Sequence, residues 1–152
     1  MRLNTDLPRE YAGEILNLPP FDKKGKITKR TLFGLENALF LYSNLSRIYA
    51  EKTDNNPDNF RIKEVKIVGS GARENKIDSD LDLLLIAPEV DEVSANSLKT
   101  MLSLVLFCDR PKIEAVDVFI RSYDRYPDRV SRDITLQVKE IVDKYNSYLF
   151  SH

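Results

Sequence analysis

Two carboxylates precede and enter an apolar run near the middle of the chain. Asp80 and Asp82 flank Leu81, and the segment then continues as Leu83 to Ile86 with only Leu and Ile. Strand side chains alternate between faces, so both carboxylates are expected to point the same way. Buried, unpaired carboxylates cost several kcal/mol each and repel one another unless a cation lies between them. The pattern therefore predicts oxygen ligands for a divalent cation, Mg²⁺ or Mn²⁺.

The alternative for this pair is a half-exposed strand whose polar face meets water. Such a face should stay polar along the strand, yet Leu84 and Ile86 follow Asp82 in the same alternation. This favours the metal site. A third carboxylate, Asp117, lies inside the apolar run that extends from Ile113 to Ile120, although a single strand aspartate is less distinctive than a pair.

A glycine-containing turn precedes the acidic pair. Gly69-Ser70, nine intervening residues and Asp80-Leu81-Asp82-Leu83 resemble the signature of the DNA polymerase β-type nucleotidyltransferase superfamily. Gly71-Ala72-Arg73, ahead of Asp78-Ser79-Asp80, is most similar to the minimal members of that superfamily. The family needs a third carboxylate on a later strand, and Asp117 supplies one. The resemblance covers residues 65–120. It implies a polymerase β palm-like α/β fold, in which helices pack on a small, mixed and twisted sheet.

The resemblance also implies a reaction and a role for each residue. The reaction is metal-dependent transfer of a nucleoside monophosphate, AMP from ATP by expectation, to a hydroxyl acceptor with release of pyrophosphate. Asp80 and Asp82 would bind the metal ions, and Asp117 would complete the site that activates the acceptor. Gly69 and Ser70 would approach the β- or γ-phosphate. Arg73 is either a triphosphate contact or an ordinary surface arginine.

Two other functions stay open at this point. One is a catalytically inert nucleotide- or RNA-binding module, against which the retention of all three carboxylates argues. The other is the nucleotidyltransferase half of a toxin–antitoxin pair with a small helical partner protein. The acceptor is equally open, since RNA, a protein side chain and a small molecule all carry hydroxyl groups.

Composition sets the broad class. The chain has 152 residues, 42% of them hydrophobic and 31% charged, as in an ordinary globular domain. We expect one domain over residues 1–152, with an irregular lead-in at 1–28 and a catalytic core at about 62–121. The net charge of −1 gives no support for nonspecific nucleic-acid binding. No apolar stretch predicts a membrane span or a signal peptide, which suggests a cytoplasmic protein.

Hydrophobic periodicity predicts the elements that must position the site. The predicted helices cover 9–18, 29–52 with Thr28 as N-cap, a connecting helix capped by Ser94 or Asn96, and a last helix from Ser131 to Leu149. Two polar segments are either surface loops or substrate contacts. They are a basic cluster from Lys23 to Arg30 and the loop from Arg121 to Pro127.

Overall fold

The computed structural model describes residues 17–77, 80–108, 116–124 and 130–150, without the side chains of 106–108. The helices are α1 (Lys29–Lys52), the single turn α2 (Ser70–Arg73), α3 (Glu92–Cys108) and α4 (Lys139–Tyr148), with a 3-10 turn at Pro57–Phe60. The strands are β1 (Glu64–Val68), β2 (Leu81–Ile86), β3 (Val116–Arg121) and β4 (Ser131–Asp133). The helix predicted at 9–18 falls almost wholly outside the described residues.

The four strands form one mixed sheet in the order β3-β2-β1-β4. β1 pairs antiparallel with both β2 and β4, whereas β2 and β3 run parallel. The parallel pair requires a crossover, which α3 provides. The predicted α/β class and the mixed sheet with packed helices are confirmed. In the part of the chain that the structure describes, no helix is long and apolar enough to span a membrane.

Alternation along the strands creates one face that packs against the helices. This core face consists of apolar side chains that are at most 3% exposed, namely Val65, Ile67, Leu81, Leu83, Leu85, Val116, Val118 and Ile120. The helices contribute Leu35, Leu39 and Tyr42 from α1, Leu98 and Leu102 from α3, and Val142 from α4. The opposite, outer face therefore carries the residues between them, including Asp82 and Asp117.

The long helix α1 has the predicted bounds, and its apolar stripe is core. Gly34 lets it approach the sheet closely, because a Cβ there would lie 2.6 Å from Cγ2 of Val116 and 2.9 Å from Cδ2 of Leu81. Thr28 occupies the N-cap position, but its side chain makes no cap hydrogen bond. Its hydroxyl donates to the carbonyl of Pro19 at 2.6 Å instead. The Thr28 hydroxyl, which was predicted to cap α1, therefore binds the segment before the helix.

Two helix starts were predicted wrongly. Asp91, not Ser94 or Asn96, caps α3, because its Oδ1 accepts the backbone N–H of Ser94 at 2.7 Å. This bond is the main reason why the pKa of Asp91 lies below its usual value. The last helix begins at Lys139, and Ser131 belongs to β4. Ser131, Arg132 and Asp133 pair with the edge of β1 that β2 leaves open, and Ser131 lies opposite Val68.

The described part of the lead-in is fastened to the loop that follows α2. The Asn75 carboxamide accepts the Phe21 N–H at 2.7 Å and donates to the Phe21 carbonyl at 3.0 Å. Phe21 is 1% exposed and belongs to the core. Residues 17–28 consist of turns, bends and an isolated bridge between Phe21 and Ile27.

The segment that follows β3 crosses the outer face of the sheet and is held there by a salt bridge. Asp124, three residues past β3, binds Nζ of Lys66 on β1 at 2.7 Å. Because β2 lies between β1 and β3, the segment from Ser122 to Asp124 must cross β2. Leu84 and Ile86 lie on the face that residues 122–124 cross, and each is 2% exposed. On β2, the outer face is therefore polar up to Asp82 and apolar and buried beyond it, as the sequence alternation predicts.

Candidate metal centre

Strand pairing places Asp82 beside Asp117. The parallel register of β2 and β3 sets these two residues opposite each other, and Val68 of β1 is the other neighbour of Asp82. Adjacent strands lie about 5 Å apart. Two carboxylates predicted from separate segments thus lie side by side on the outer face, where β1 ends and both parallel strands begin.

Asp80 precedes β2 by one residue and is exposed. Asp82 is half-buried, and burial raises the pKa of its carboxyl above 3.8. The charges of Asp117 and then Asp80 raise the Asp82 pKa further, while that of Lys99 opposes them. The charges of both other predicted carboxylates therefore act on Asp82.

The glycine turn abuts this cluster. Gly69 has φ +72° and ψ −149°, a conformation that L residues avoid. A Cβ on Gly69 would lie 2.6 Å from Oδ2 of Asp82. Ser70, half-buried, starts the helical turn α2. Arg73 ends that turn and is exposed, and its guanidinium makes no hydrogen bond or ion pair with the described residues.

A lysine that the sequence argument missed joins the cluster. Lys99 of α3 forms a hydrogen-bonded ion pair with Oδ1 of Asp117. Its ammonium also lies 4.2 Å from the centre of the Phe119 ring. The only sequence signal is its position beside the core residue Leu98, on the helix that joins the two aspartate strands. Lysines are common on helix surfaces, so this signal alone did not single it out.

These side chains are not assembled as a finished metal site. Within residues 17–77, 80–108, 116–124 and 130–150, no three His, Cys, Asp or Glu side chains form a ready metal-binding group. Lys99 is paired with Asp117 in this arrangement. Asp78, which also precedes the pair, lies outside the described residues. The cluster thus combines three carboxylates with one ammonium group, which leaves a net charge of −2.

Of the two segments predicted as either loops or substrate contacts, the structure describes residues 23–30 and 121–124. In the basic segment, the Asp22 carboxylate accepts the N–H groups of Lys26 and Lys24, and the first of these bonds lowers the Asp22 pKa most. At the end of β3, the Arg121 guanidinium donates to the Ile120 carbonyl at 2.9 Å. Tyr123 is 59% exposed, and residues 125–127 lie outside the described part. Both segments stay unassigned between loop and contact.

Compared with protein-family models, with curated proteins and with solved structures, the chain gives no match. The resemblance to nucleotidyltransferases that the motif residues indicate therefore stays a prediction.

Proposed function

We propose that this protein is a metal-dependent nucleotidyltransferase with the polymerase β palm-like fold. The observation that carries the proposal is the register of Asp82 with Asp117 on adjacent parallel strands, with Gly69 against the Asp82 carboxylate. Three separate parts of the predicted motif thus meet at one end of the sheet. An arrangement with Asp117 on the core face would have removed the third ligand.

The donor set fits a hard divalent cation. Carboxylate oxygens are the ligands that Mg²⁺ and Mn²⁺ prefer. Burial first, and then the charges of Asp117 and Asp80, raise the pKa of Asp82 although Lys99 opposes them, so a bound cation would favour the ionised carboxylate. Asp80, Asp82 and Asp117 are the residues that would hold the metal. The bound ion would neutralise charge on the transferring phosphate and favour an in-line displacement.

The protein groups divide the remaining work. In the reaction, the bond between the α-phosphorus of ATP and its bridging oxygen breaks, pyrophosphate leaves, and an acceptor hydroxyl bonds to phosphorus. A carboxylate oxygen of Asp117 takes the proton of that hydroxyl. Asp117 is suited to this role because its side chain is 36% exposed and an acceptor can reach it.

Phosphate binding falls to the turn after β1. The first N–H groups of a helical turn have no acceptor within the turn, and the missing Cβ of Gly69 makes room for the Asp82 carboxylate beside this turn. Ser70 Oγ adds a hydroxyl donor next to it. Arg73, exposed and without a partner among the described residues, supplies a cation for the triphosphate. Because these contacts involve phosphates and not the base, selection among bases should be weak, and ATP is the expected donor because it is abundant in cells and is the usual donor in the resembled family.

The ion pair between Lys99 and Asp117 favours a second candidate, an inert nucleotide-binding module. A permanently paired Asp117 would not activate an acceptor. In that case Mg²⁺ and ATP together would bind, measured by calorimetry, without any release of pyrophosphate.

The test is transfer of label from α-³²P-ATP with Mg²⁺ or Mn²⁺ in cell extract, followed by identification of the labelled RNA, protein or small molecule. Label and pyrophosphate should appear with wild type and be lost with Asp82→Asn. Asp143→Asn changes an exposed carboxylate on α4 and should leave transfer unchanged. Equal labelling by Asp82→Asn would contradict the proposal. Co-purification with a small helical protein would add the toxin–antitoxin setting.

A further inference from the structure

Lys99 is held on two sides. It forms an ion pair with Asp117, and its ammonium lies 4.2 Å from the centre of the Phe119 ring. Its side chain is only 24% exposed. Phe119 follows Asp117 on the same face of β3, so the lysine reaches from α3 around the edge strand to the outer face.

The charge balance shows what this contact does. Three carboxylates and one ammonium leave a net charge of −2, enough to attract a divalent cation. The same ammonium, however, occupies an oxygen of the carboxylate that would complete the metal site. A divalent cation bound there would be repelled by Lys99 and would compete with it for Asp117.

Lysine is suited to leave such a pair. Its ammonium is a point charge on a flexible stem, with no fixed fork geometry to preserve. A partly exposed ion pair contributes little to stability, so a better anion can draw it away. The phosphates of a nucleotide bound at the Gly69 turn would be such an anion and would reach the same end of the sheet.

We propose that Lys99 is a built-in competitor of the metal, which holds Asp117 in the free protein and releases it when nucleotide phosphates bind. Metal and nucleotide then bind cooperatively, since each favours the state with Lys99 away from Asp117. Lys99 acts through Asp117 and is a positioning residue. This inference depends on the proposed metal site.

The experiment measures Mn²⁺ binding to the intact protein by electron paramagnetic resonance, first without nucleotide. Lys99→Met removes the charge and keeps a flexible side chain that packs on Phe119. It should bind Mn²⁺ about tenfold more tightly than wild type, the scale expected for removing one positive charge near a dication in a partly solvated site. Lys99→Gln provides a second neutral side chain, and Lys99→Arg should bind no more tightly than wild type.

Lys63→Met is the matched control, because Lys63 is exposed just before β1, at the opposite end of the sheet. Its Mn²⁺ affinity should stay within about twofold of wild type, since surface charges far apart are screened by salt. With α,β-methylene-ATP present, the Mn²⁺ affinity of wild type should rise more than that of Lys99→Met.

Two results would overturn the inference, and they differ in what they say about the proposed function. Equal or weaker Mn²⁺ binding by Lys99→Met and Lys99→Gln would remove the competitor role and leave the metal site standing. No Mn²⁺ binding by any variant, with or without nucleotide, would remove both.

Discussion

Gly69 and Asp82 occupy adjoining space. A Cβ on Gly69 would lie 2.6 Å from Oδ2 of Asp82, and the backbone of Gly69 has a conformation open almost only to glycine. Glycine is therefore required here for two separate reasons. The turn proposed to bind phosphate and the carboxylate proposed to bind metal are built against each other, so a change in one displaces the other.

The first prediction is that Gly69→Ala destabilises the protein and disturbs the site together. The strained backbone alone should lower the free energy of unfolding by about 1–3 kcal/mol, measured by urea denaturation. The methyl group should also push the Asp82 carboxylate aside and weaken Mn²⁺ binding. In an Asp82→Ala background the added cost should be smaller, because the crowded oxygen is gone.

Gly25→Ala separates these two effects. Gly25 also has a positive φ, +81°, but a Cβ there would meet nothing within 4 Å. This variant should lose only about 1–2 kcal/mol, the backbone cost of the left-handed region, and should bind Mn²⁺ as wild type does. Equal loss of Mn²⁺ affinity in both variants would show that the contact with Asp82 is unimportant.

The second prediction concerns Asp82 and pH. Burial, and then the charges of Asp117 and Asp80, raise the pKa of Asp82 in the folded state above 3.8. Between the pKa of Asp82 in the unfolded chain and its higher pKa in the folded protein, the folded protein binds more protons than the unfolded chain. The contribution of Asp82 to the free energy of unfolding therefore falls as pH rises through this range. At pH 7 the ionised Asp82 is destabilising, so metal-free Asp82→Asn should be as stable as wild type or up to about 1 kcal/mol more stable.

The difference between Asp82→Asn and wild type should shrink as pH falls toward 4, because wild-type Asp82 then protonates. Urea unfolding at pH 7, 5.5 and 4.5 without divalent cations measures it. Asp143→Asn, which changes an exposed carboxylate, should show no such trend. An Asp82→Asn protein that is unfolded at pH 7 would show instead that the carboxylate has a structural role.

The third prediction concerns the salt bridge between Lys66 and Asp124, which holds residues 122–124 on the outer face of the sheet. The hydrogen bond to Asp124 is the main reason why the pKa of Lys66 lies above 10.5, and both side chains are largely buried. Lys66→Met should reduce stability by about 1.5–3 kcal/mol, as for a hydrogen bond to a charged group. Because the folded pKa is raised, this contribution is fully present below pH 10.5 and is lost as pH rises through the folded value.

Unfolding of wild type and Lys66→Met between pH 7 and 11 would check this. The difference should be constant up to about pH 10 and decrease above it. Lys63→Met, on an exposed lysine nearby in sequence, should lie within about 0.5 kcal/mol of wild type. A Lys66→Met protein as stable as wild type would show that the salt bridge does not hold residues 122–124 in place.

Much of the fold could be predicted because its patterns are strong. The stripe in α1 repeats over a helix of 24 residues, and such repetition defines one buried face. In β2, the switch from Asp82 to Leu84 and Ile86 on the same face correctly indicated burial beyond the carboxylates. This alternation places the carboxylates on one face of the sheet, whereas the exact register that sets Asp82 beside Asp117 comes from the structure.

Other features depend on contacts that sequence periodicity does not contain. Residues 131–133 form an edge strand because β1 offers an unpaired edge, although their own pattern fits the start of a helix. The side chain of Thr28 turns away from its helix because the Pro19 carbonyl lies within 2.6 Å. Lys99 reaches Asp117 only because α3 runs along the edge strand, which no local pattern reveals.

The last prediction separates the roles of the carboxylates. Asp80→Asn and Asp82→Asn should abolish the rise in melting temperature that Mn²⁺ and ATP give to wild type, because a ligand that binds only the folded state stabilises it in proportion to its affinity. Asp117→Asn should keep much of the nucleotide binding yet lose transfer by orders of magnitude, since its carboxylate accepts the acceptor's proton. Ser70→Ala should lose one phosphate hydrogen bond, about 0.5–1.5 kcal/mol. Thermal unfolding and pyrophosphate release measure these effects, and wild type without any Mn²⁺- or Mg²⁺-dependent stabilisation in the presence of ATP would exclude the metal site.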